Sequence, residues 1–194
     1  MFSKKFGIAR HGEERSDEAI QFVIPPQQYH AAEFHVEADW SSAAVWIAAG
    51  LILKDVTLEG LNPNSLQADR QILDVVKEMG AKFFWEDGKL IVKKSALRGV
   101  KWNLSQTPDL FPILSVLAAC AEGKSEWTGT ERLKFKESNR LLEIEDPAKS
   151  KDHRIVMAGA ILGLATGKEM VFQYPDCVAK SYPNFWKTFN TLSP

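Results

Sequence analysis

The sequence predicts an α/β (α+β) fold assembled from repeated units, and three observations predict it. Three apolar segments each carry an aspartate near their start: Asp39 before WSSAAVWIAAGLIL, Asp109 in TPDLFPILSVLAAC, and Asp152 before HRIVMAGAILGLATG. Strand-like and hairpin-like stretches separate these segments, the alternation expected of a layered mixed domain built on an internal repeat. A hydrophobic content of 45% in 194 residues is enough to supply a sizeable core.

The elements follow in order. Asp39 and Asp152 suit N-cap positions, where a carboxylate accepts from free helix amides, and Thr107-Pro108 supplies a cap followed by proline at the first helical position. Gly123 and Gly167 mark two helix ends. After the first helix, residues 56–61 read as a strand and 66–79 as a second helix. The apolar positions Ile72, Leu73, Val75, Val76 and Met79 have helical spacing, and Gly80 suits a left-handed C-terminal position. KFFWEDGKLIVKK then reads as a hairpin turning at Asp87-Gly88, with Phe83 and Trp85 facing Leu90 and Val92. The first unit is thus helix, strand, helix, hairpin.

The second unit begins alike, with a helix over 107–121 and a strand over 125–130, but it meets the next aspartate early. Asp39 and Asp109 are 70 positions apart, whereas Asp109 and Asp152 are 43 apart. The 27-residue shortfall is about the size of the helix and hairpin over 66–94, so a deletion is expected near 142–151. The third unit reads as its helix, a strand over 169–174, a loop, and a short terminal helix holding Phe185, Trp186 and Phe189.

Residues 1–26 fit none of this. RHGEERSDEAI is highly charged and resembles the translated product of a repetitive DNA element; an ordinary charged N-terminal helix is the alternative.

Bulk properties exclude several classes. A formal net charge of −1 gives no global attraction to nucleic acid or anionic membrane, so anion chemistry has to be local. No apolar run approaches the roughly 18 residues of a membrane span, no signal peptide is evident, and the cytoplasm is expected. Cys120 and Cys177 cannot build a disulfide framework, and Cys120, inside an apolar run, is expected to be a buried, inert thiol. There is no Cys-x-x-Cys pair, His-Glu-x-x-His helix, Walker loop or Gly-x-Gly-x-x-Gly, so no metal or nucleotide signature is present.

The candidates for chemistry are ionic. Lys136, Glu137, Arg140, His153, Arg154 and Lys180 converge on an anion site in one reading and decorate solvated faces in the other. Arg154 lies in the first turn of a helix, where a cation is unfavourable without a negative partner; that partner is a bound anion or neighbouring Asp152. Lys136 and Arg140 are expected to hold Glu137 ionised, as suits a carboxylate that accepts and returns a proton. Asp109 is a second acid/base candidate, although an acid in a first helical turn is stabilising without any function.

The segments EADWSSAAVWIAAG, QTPDLFPILSVLAA, RLKFKESNRL, DHRIVMAGAI and PDCVAKSYPNFW occur in that order. Together they resemble the carboxyl-terminal half of the 3-phosphoshikimate 1-carboxyvinyltransferase family, the enolpyruvyl transferases of the shikimate pathway. The resemblance covers roughly Gln27 to Leu192, so 27–194 is expected to be the family domain and 1–26 a non-family segment. It implies domains of three βαβαββ units about a pseudo-threefold axis, here incomplete, and a substrate cleft between two such domains. It also implies transfer of the enolpyruvyl group of phosphoenolpyruvate to shikimate 3-phosphate, in aromatic amino-acid biosynthesis, by addition and elimination without a metal or organic cofactor.

By motif, Asp109 resembles the acid/base for the hydroxyl proton, and Glu137 the proton shuttle at the methylene with Lys180 assisting. Lys136 resembles a shikimate contact, Arg140 and Arg154 the phosphoenolpyruvate clamps, His153 a supporting group, and Asp39 an element positioning the cleft. Asn139 departs from the family, where aspartate is common. With the amino-terminal domain not encoded, an isolated chain is expected to have little activity unless a separate amino-terminal-domain chain completes the cleft. The alternatives are a non-catalytic, anion-binding remnant and a fragment of the sister enzyme acting on UDP-N-acetylglucosamine.

Overall fold

The computed structural model describes residues 25–192, so the segment 1–26 lies almost wholly outside the described residues. The chain divides into two units, Met1–His35 and Val36–Pro194, and every helix and strand below belongs to the second. α1 (Trp40–Ile52) begins where Asp39 accepts hydrogen bonds from the amides of Ser41 (3.2 Å) and Ser42 (2.9 Å), as its capping role requires. β1 (Val56–Leu58) follows, then a 3-10 turn over Ala68–Gln71 leading into α2 (Ile72–Glu78).

The 66–79 helix is therefore shorter than its sequence suggests. Gln67 is extended because its side chain is used elsewhere: Oε1 accepts from the Trp40 amide at 2.8 Å, and Nε2 donates to Ala38 O at 3.0 Å. That clamp ties the loop before α2 to the start of α1. β2 (Lys82–Glu86) and β3 (Lys89–Lys93) form the expected hairpin, with Phe83 opposite Val92 and Trp85 opposite Leu90. Asp87 and Gly88 have φ of 49° and 74°, both left-handed, which matches the strand twist in a two-residue turn. β3 also pairs with β1, giving a three-stranded sheet of order β1-β3-β2.

In the second unit, β4 (Lys101–Asn103) runs parallel to β5 (Glu126–Thr128), and α3 (Phe111–Cys120) crosses between them. α4 (Arg140–Glu143) is a single turn. α5 (His153–Thr166) is capped by Asp152 and stopped by Gly167 at φ 66°, and α6 (Phe185–Phe189) ends the described chain. α1, α3 and α5 pack against one another in all three pairings, and their apolar side chains form the centre of the core. This is an incomplete α/β arrangement of three helix-led units. Among the described residues, no helix is long and apolar enough to cross a membrane.

Two expectations fail. No strand forms over 169–174; besides the local turn in which Tyr174 O accepts from Cys177 N–H at 3.2 Å, the segment keeps one backbone bond, Gln173 N–H to Ala148 O at 2.9 Å. Cys120, expected to be buried, is exposed. In the first unit β3 of the hairpin pairs with β1 and covers Gly50, eleven positions after Asp39. Cys120 is eleven positions after Asp109, and no hairpin follows β5 to cover it. Phe135 (86%) and Leu142 (65%) are likewise exposed on either side of KESNR.

Candidate functional site

The charged residues singled out by sequence sit where the α3 and α5 starts meet the 131–143 segment. Arg140, at the start of α4, is 1% exposed and donates from Nε to Asp152 Oδ2 at 2.7 Å and from Nη1 to Asp109 Oδ1 at 2.6 Å. Lys136 Nζ lies 3.1 Å from the same Asp109 oxygen, and Arg154 Nη2 lies 3.7 Å from Oδ2. Asp109 thus collects three cations. Burial alone would raise its carboxyl, but Arg154, Arg140 and Lys136 outweigh that and hold it below the usual range.

Glu137 belongs to an adjoining group. Lys180 donates to Oε1 at 2.7 Å, and His153 Nδ1 lies 3.0 Å from Oε2. Arg154 Nη1 is 3.2 Å from His153 Nε2. A guanidinium only donates, so Nε2 accepts and the imidazole proton sits on Nδ1, donated to Glu137. Burial pushes the Glu137 carboxyl up, and the bonds from Lys180 and His153 reverse this, leaving it below the ordinary carboxylate value.

Seven of the eight candidates therefore form one connected set: Asp109, Lys136, Arg140 and Arg154 around one carboxylate, then His153, Glu137 and Lys180 through Arg154. Asp39 is not in it; its oxygens are used by the α1 amides and by Ser42 Oγ at 2.6 Å. Two pairings differ from expectation. Glu137 is held by Lys180 and His153, not by Lys136 and Arg140, because Lys136 turns to Asp109 and Arg140 turns inward. Arg154 finds Asp109 rather than Asp152, whose Oδ2 is occupied by Arg140 and whose Oδ1 caps the Arg154 amide at 2.9 Å.

Among the described residues, Glu137, Asp152 and His153 bring ligand-type atoms within 4.8 Å of one another. Those atoms already serve Lys180, Arg140, the α5 amide and each other, and the surrounding positive charge disfavours a metal ion.

Sequence reasoning missed part of the site. An open cavity of about 390 Å³ beside Asp109 and Lys136 is also lined by Ser41, Gln67, Asp69, Gln106 and Arg132. Asp69 is 8% exposed and accepts from Ser41 Oγ. Burial is the main cause that lifts its carboxyl above the usual value, with the charge of Asp109 adding to it. A buried aspartate in a segment read as plain helix has no local sequence signal; only its position near the Asp39 cap hints at it.

Comparison with known proteins follows the same lines. The family description EPSP synthase (3-phosphoshikimate 1-carboxyvinyltransferase) matches residues 2–146 and 147–189. The 3-phosphoshikimate 1-carboxyvinyltransferase of Dehalococcoides mccartyi is 34% identical over 214 residues, covering 96% of this chain and 50% of that protein. That of Syntrophobacter fumaroxidans is 37% identical, covering 92% and 49%. The chain thus spans about half the length of the curated relatives it matches. In the first alignment 96% of 194 residues is about 186, so about 28 of the 214 aligned positions have no counterpart here. The EPSP synthase structure from Acinetobacter baumannii superposes with a TM-score of 0.71 at 27% identity, over 81% of this chain and 46% of that one. The enolpyruvyl transferase NikO from Streptomyces tendae, at 16% identity and a TM-score of 0.58, shares the fold.

Proposed function

The chain belongs to the EPSP synthase family, and from that premise we propose that it forms one wall of an enolpyruvyl-transfer site for phosphoenolpyruvate and shikimate 3-phosphate, in the cytoplasm. The observation that carries this reading is the linkage of two carboxylates, Asp109 and Glu137, through Arg154 and His153. Transfer of this kind needs one group to take the proton of the attacking hydroxyl and another to protonate the methylene on addition and to take a proton back from the resulting methyl as phosphate leaves, with cations placed for the carboxylate and phosphate. Asp109 takes the first role. Glu137 takes the second, its proton traffic governed by Lys180 and by the Nδ1–H of His153. Lys136 contacts the acceptor, and Arg154 with Arg140 clamps phosphoenolpyruvate, arginine suiting bidentate contacts.

The shortened second unit is part of the proposal. The family match breaks between 146 and 147, inside the region where a helix and hairpin are missing by repeat spacing, and the exposure of Cys120 agrees with a lost cover. The family match begins at residue 2 and so takes in nearly all of the 1–26 segment that the sequence reading set apart from the family. Catalysis of this type relies on positioning and on excluding water from a two-sided cleft. Assayed alone, the 194-residue chain presents one side and is expected to turn over slowly or not at all.

The test is phosphate release with phosphoenolpyruvate and shikimate 3-phosphate, with and without a separately expressed amino-terminal half of a relative, beside Glu137→Gln. Release that requires the added half and is lost in Glu137→Gln supports the reading. Release unaffected by Glu137→Gln overturns the assignment of Glu137. A folded chain that stays silent with the added half favours the second reading, a non-catalytic remnant. That reading is favoured by one observation: Arg140 is already enclosed between Asp109 and Asp152.

A further inference from the structure

The cavity beside Asp109 contains a built polar wall that the proposed roles above leave unused. Gln67 fixes it: its side chain bonds the Trp40 amide, Ala38 O and Glu37 Oε1, at 2.8, 3.0 and 3.0 Å. This holds the 67–69 turn against the start of α1, where Ser41 Oγ donates to one oxygen of Asp69. The other Asp69 oxygen has no hydrogen-bond partner among the described residues; the residue is 8% exposed and lines the cavity, from which that oxygen can be reached. A largely buried carboxylate that keeps one oxygen open to the cavity is placed to accept from a ligand donor there, where low exposure strengthens the bond.

The chemistry of the lining selects the donor. The lining holds two acids, Asp69 and Asp109, and two bases, Lys136 and Arg132, and with Gln106 it offers convergent acceptors and donors. Such a set fits a neutral, hydroxyl-bearing ring whose ionic substituent is held elsewhere. We infer that Asp69, oriented by Ser41 and Gln67, accepts a hydrogen bond from a ring hydroxyl of the polyol acceptor and selects for it. This rests on the enolpyruvyl-acceptor reading proposed above. Asp69 is a binding residue in this inference and takes no part in proton transfer.

The burial of Asp69 gives the inference a separate readout. Its carboxyl is lifted above the usual range by desolvation, so ionised Asp69 opposes folding at neutral pH. Asn has the same shape without the charge. Asp69→Asn is therefore expected to leave the urea midpoint unchanged or higher, while a purely structural residue would lower it.

The experiment is titration of the 194-residue chain, wild type and Asp69→Asn, with shikimate 3-phosphate and separately with inorganic phosphate, followed by calorimetry. The expected result is a loss of roughly tenfold or more in shikimate 3-phosphate affinity, the scale of one hydrogen bond to a charged group, with inorganic phosphate unchanged. Ser41→Ala is expected to give a smaller loss in the same direction. Equal losses for both probes, or a lowered urea midpoint that accounts for the loss, overturn the inference. So does unchanged affinity in Asp69→Asn; if Lys136→Ala still weakens shikimate 3-phosphate, the acceptor reading survives that failure. Absence of shikimate 3-phosphate binding by the wild-type chain overturns both.

Discussion

Arg140 and Asp152 form an enclosed ion pair, 2.7 Å from Nε to Oδ2 with side chains 1% and 0% exposed. The pair joins the KESNR segment to the start of α5, because the other Asp152 oxygen caps the Arg154 amide. Removing one member of a buried pair strands the other's charge in a poorly solvated place, at about 3–5 kcal/mol. Asp152→Ala also loses an N-cap, worth about 1 kcal/mol. Urea unfolding of Asp152→Ala is expected to show a loss of this order or an unfolded chain, with Asp152→Asn, which keeps a capping oxygen, less affected. A change under about 1 kcal/mol in Asp152→Ala would show that the pair contributes little.

The two proposed clamp arginines should separate in the same assays. Arg154 is 23% exposed and its nearest carboxylate contact is 3.7 Å, whereas Arg140 is enclosed and bonded to two aspartates. An incoming anion therefore meets Arg154 first and must compete with Asp109 for Arg140. Arg154→Ala is expected to cost at most about 1 kcal/mol of stability and more than tenfold in phosphoenolpyruvate affinity. Arg140→Ala is expected to destabilise the fold strongly. Undiminished phosphoenolpyruvate binding by Arg154→Ala would remove it from the clamp.

What could be read in the sequence was what depends on near neighbours. The caps at Asp39 and Asp152 and the hairpin register around Asp87-Gly88 are local, and each was legible from a few residues. The partners of Glu137 were not, since Lys180 is 43 positions away and the adjacent Lys136 faces another way. Burial of Asp69 and exposure of Cys120 are tertiary: one goes with a glutamine clamp across the first unit, the other with a second unit in which no hairpin follows β5 among the described residues. Repeat spacing motivates the proposed shortening near 142–151, and motif resemblance was needed to give the charged cluster a chemistry.

The carboxylates divide by the sign of their pH dependence. Asp109 and Glu137 have carboxyls held below their ordinary values, so the stability they give is present above about pH 4 and is lost as pH falls through their folded values. Asp69 is raised, so the stability linked to its proton is present below about pH 4 and lost as pH rises through its folded value. Urea midpoints measured from pH 3 to 7 should show a shallower acid decline in Asp109→Asn and Glu137→Gln than in wild type. Asp69→Asn should show its gain over wild type only toward neutral pH. A gain that persists at pH 3 would contradict the assignment for Asp69.

The first and second units give a matched test of the missing cover. In the first, a Cβ on Gly50 would meet Val92 Cγ1 at 2.9 Å and Val92 Cβ at 3.0 Å, because β3 lies directly on α1. Alanine in a helix interior normally gains about 1 kcal/mol over glycine, but forcing a methyl into this contact costs about 1–3 kcal/mol. Gly50→Ala is expected to destabilise. The corresponding position of α3, Cys120, is open to solvent, so Cys120→Ala is expected to change stability by less than about 0.5 kcal/mol. The thiol itself is pushed up by partial burial, so maleimide should label folded Cys120 ahead of the less exposed Cys177, at a rate that climbs with pH. Protection of Cys120 in the folded chain would mean that another segment covers α3, and the proposed loss of a helix and hairpin near 142–151 would no longer explain its surface.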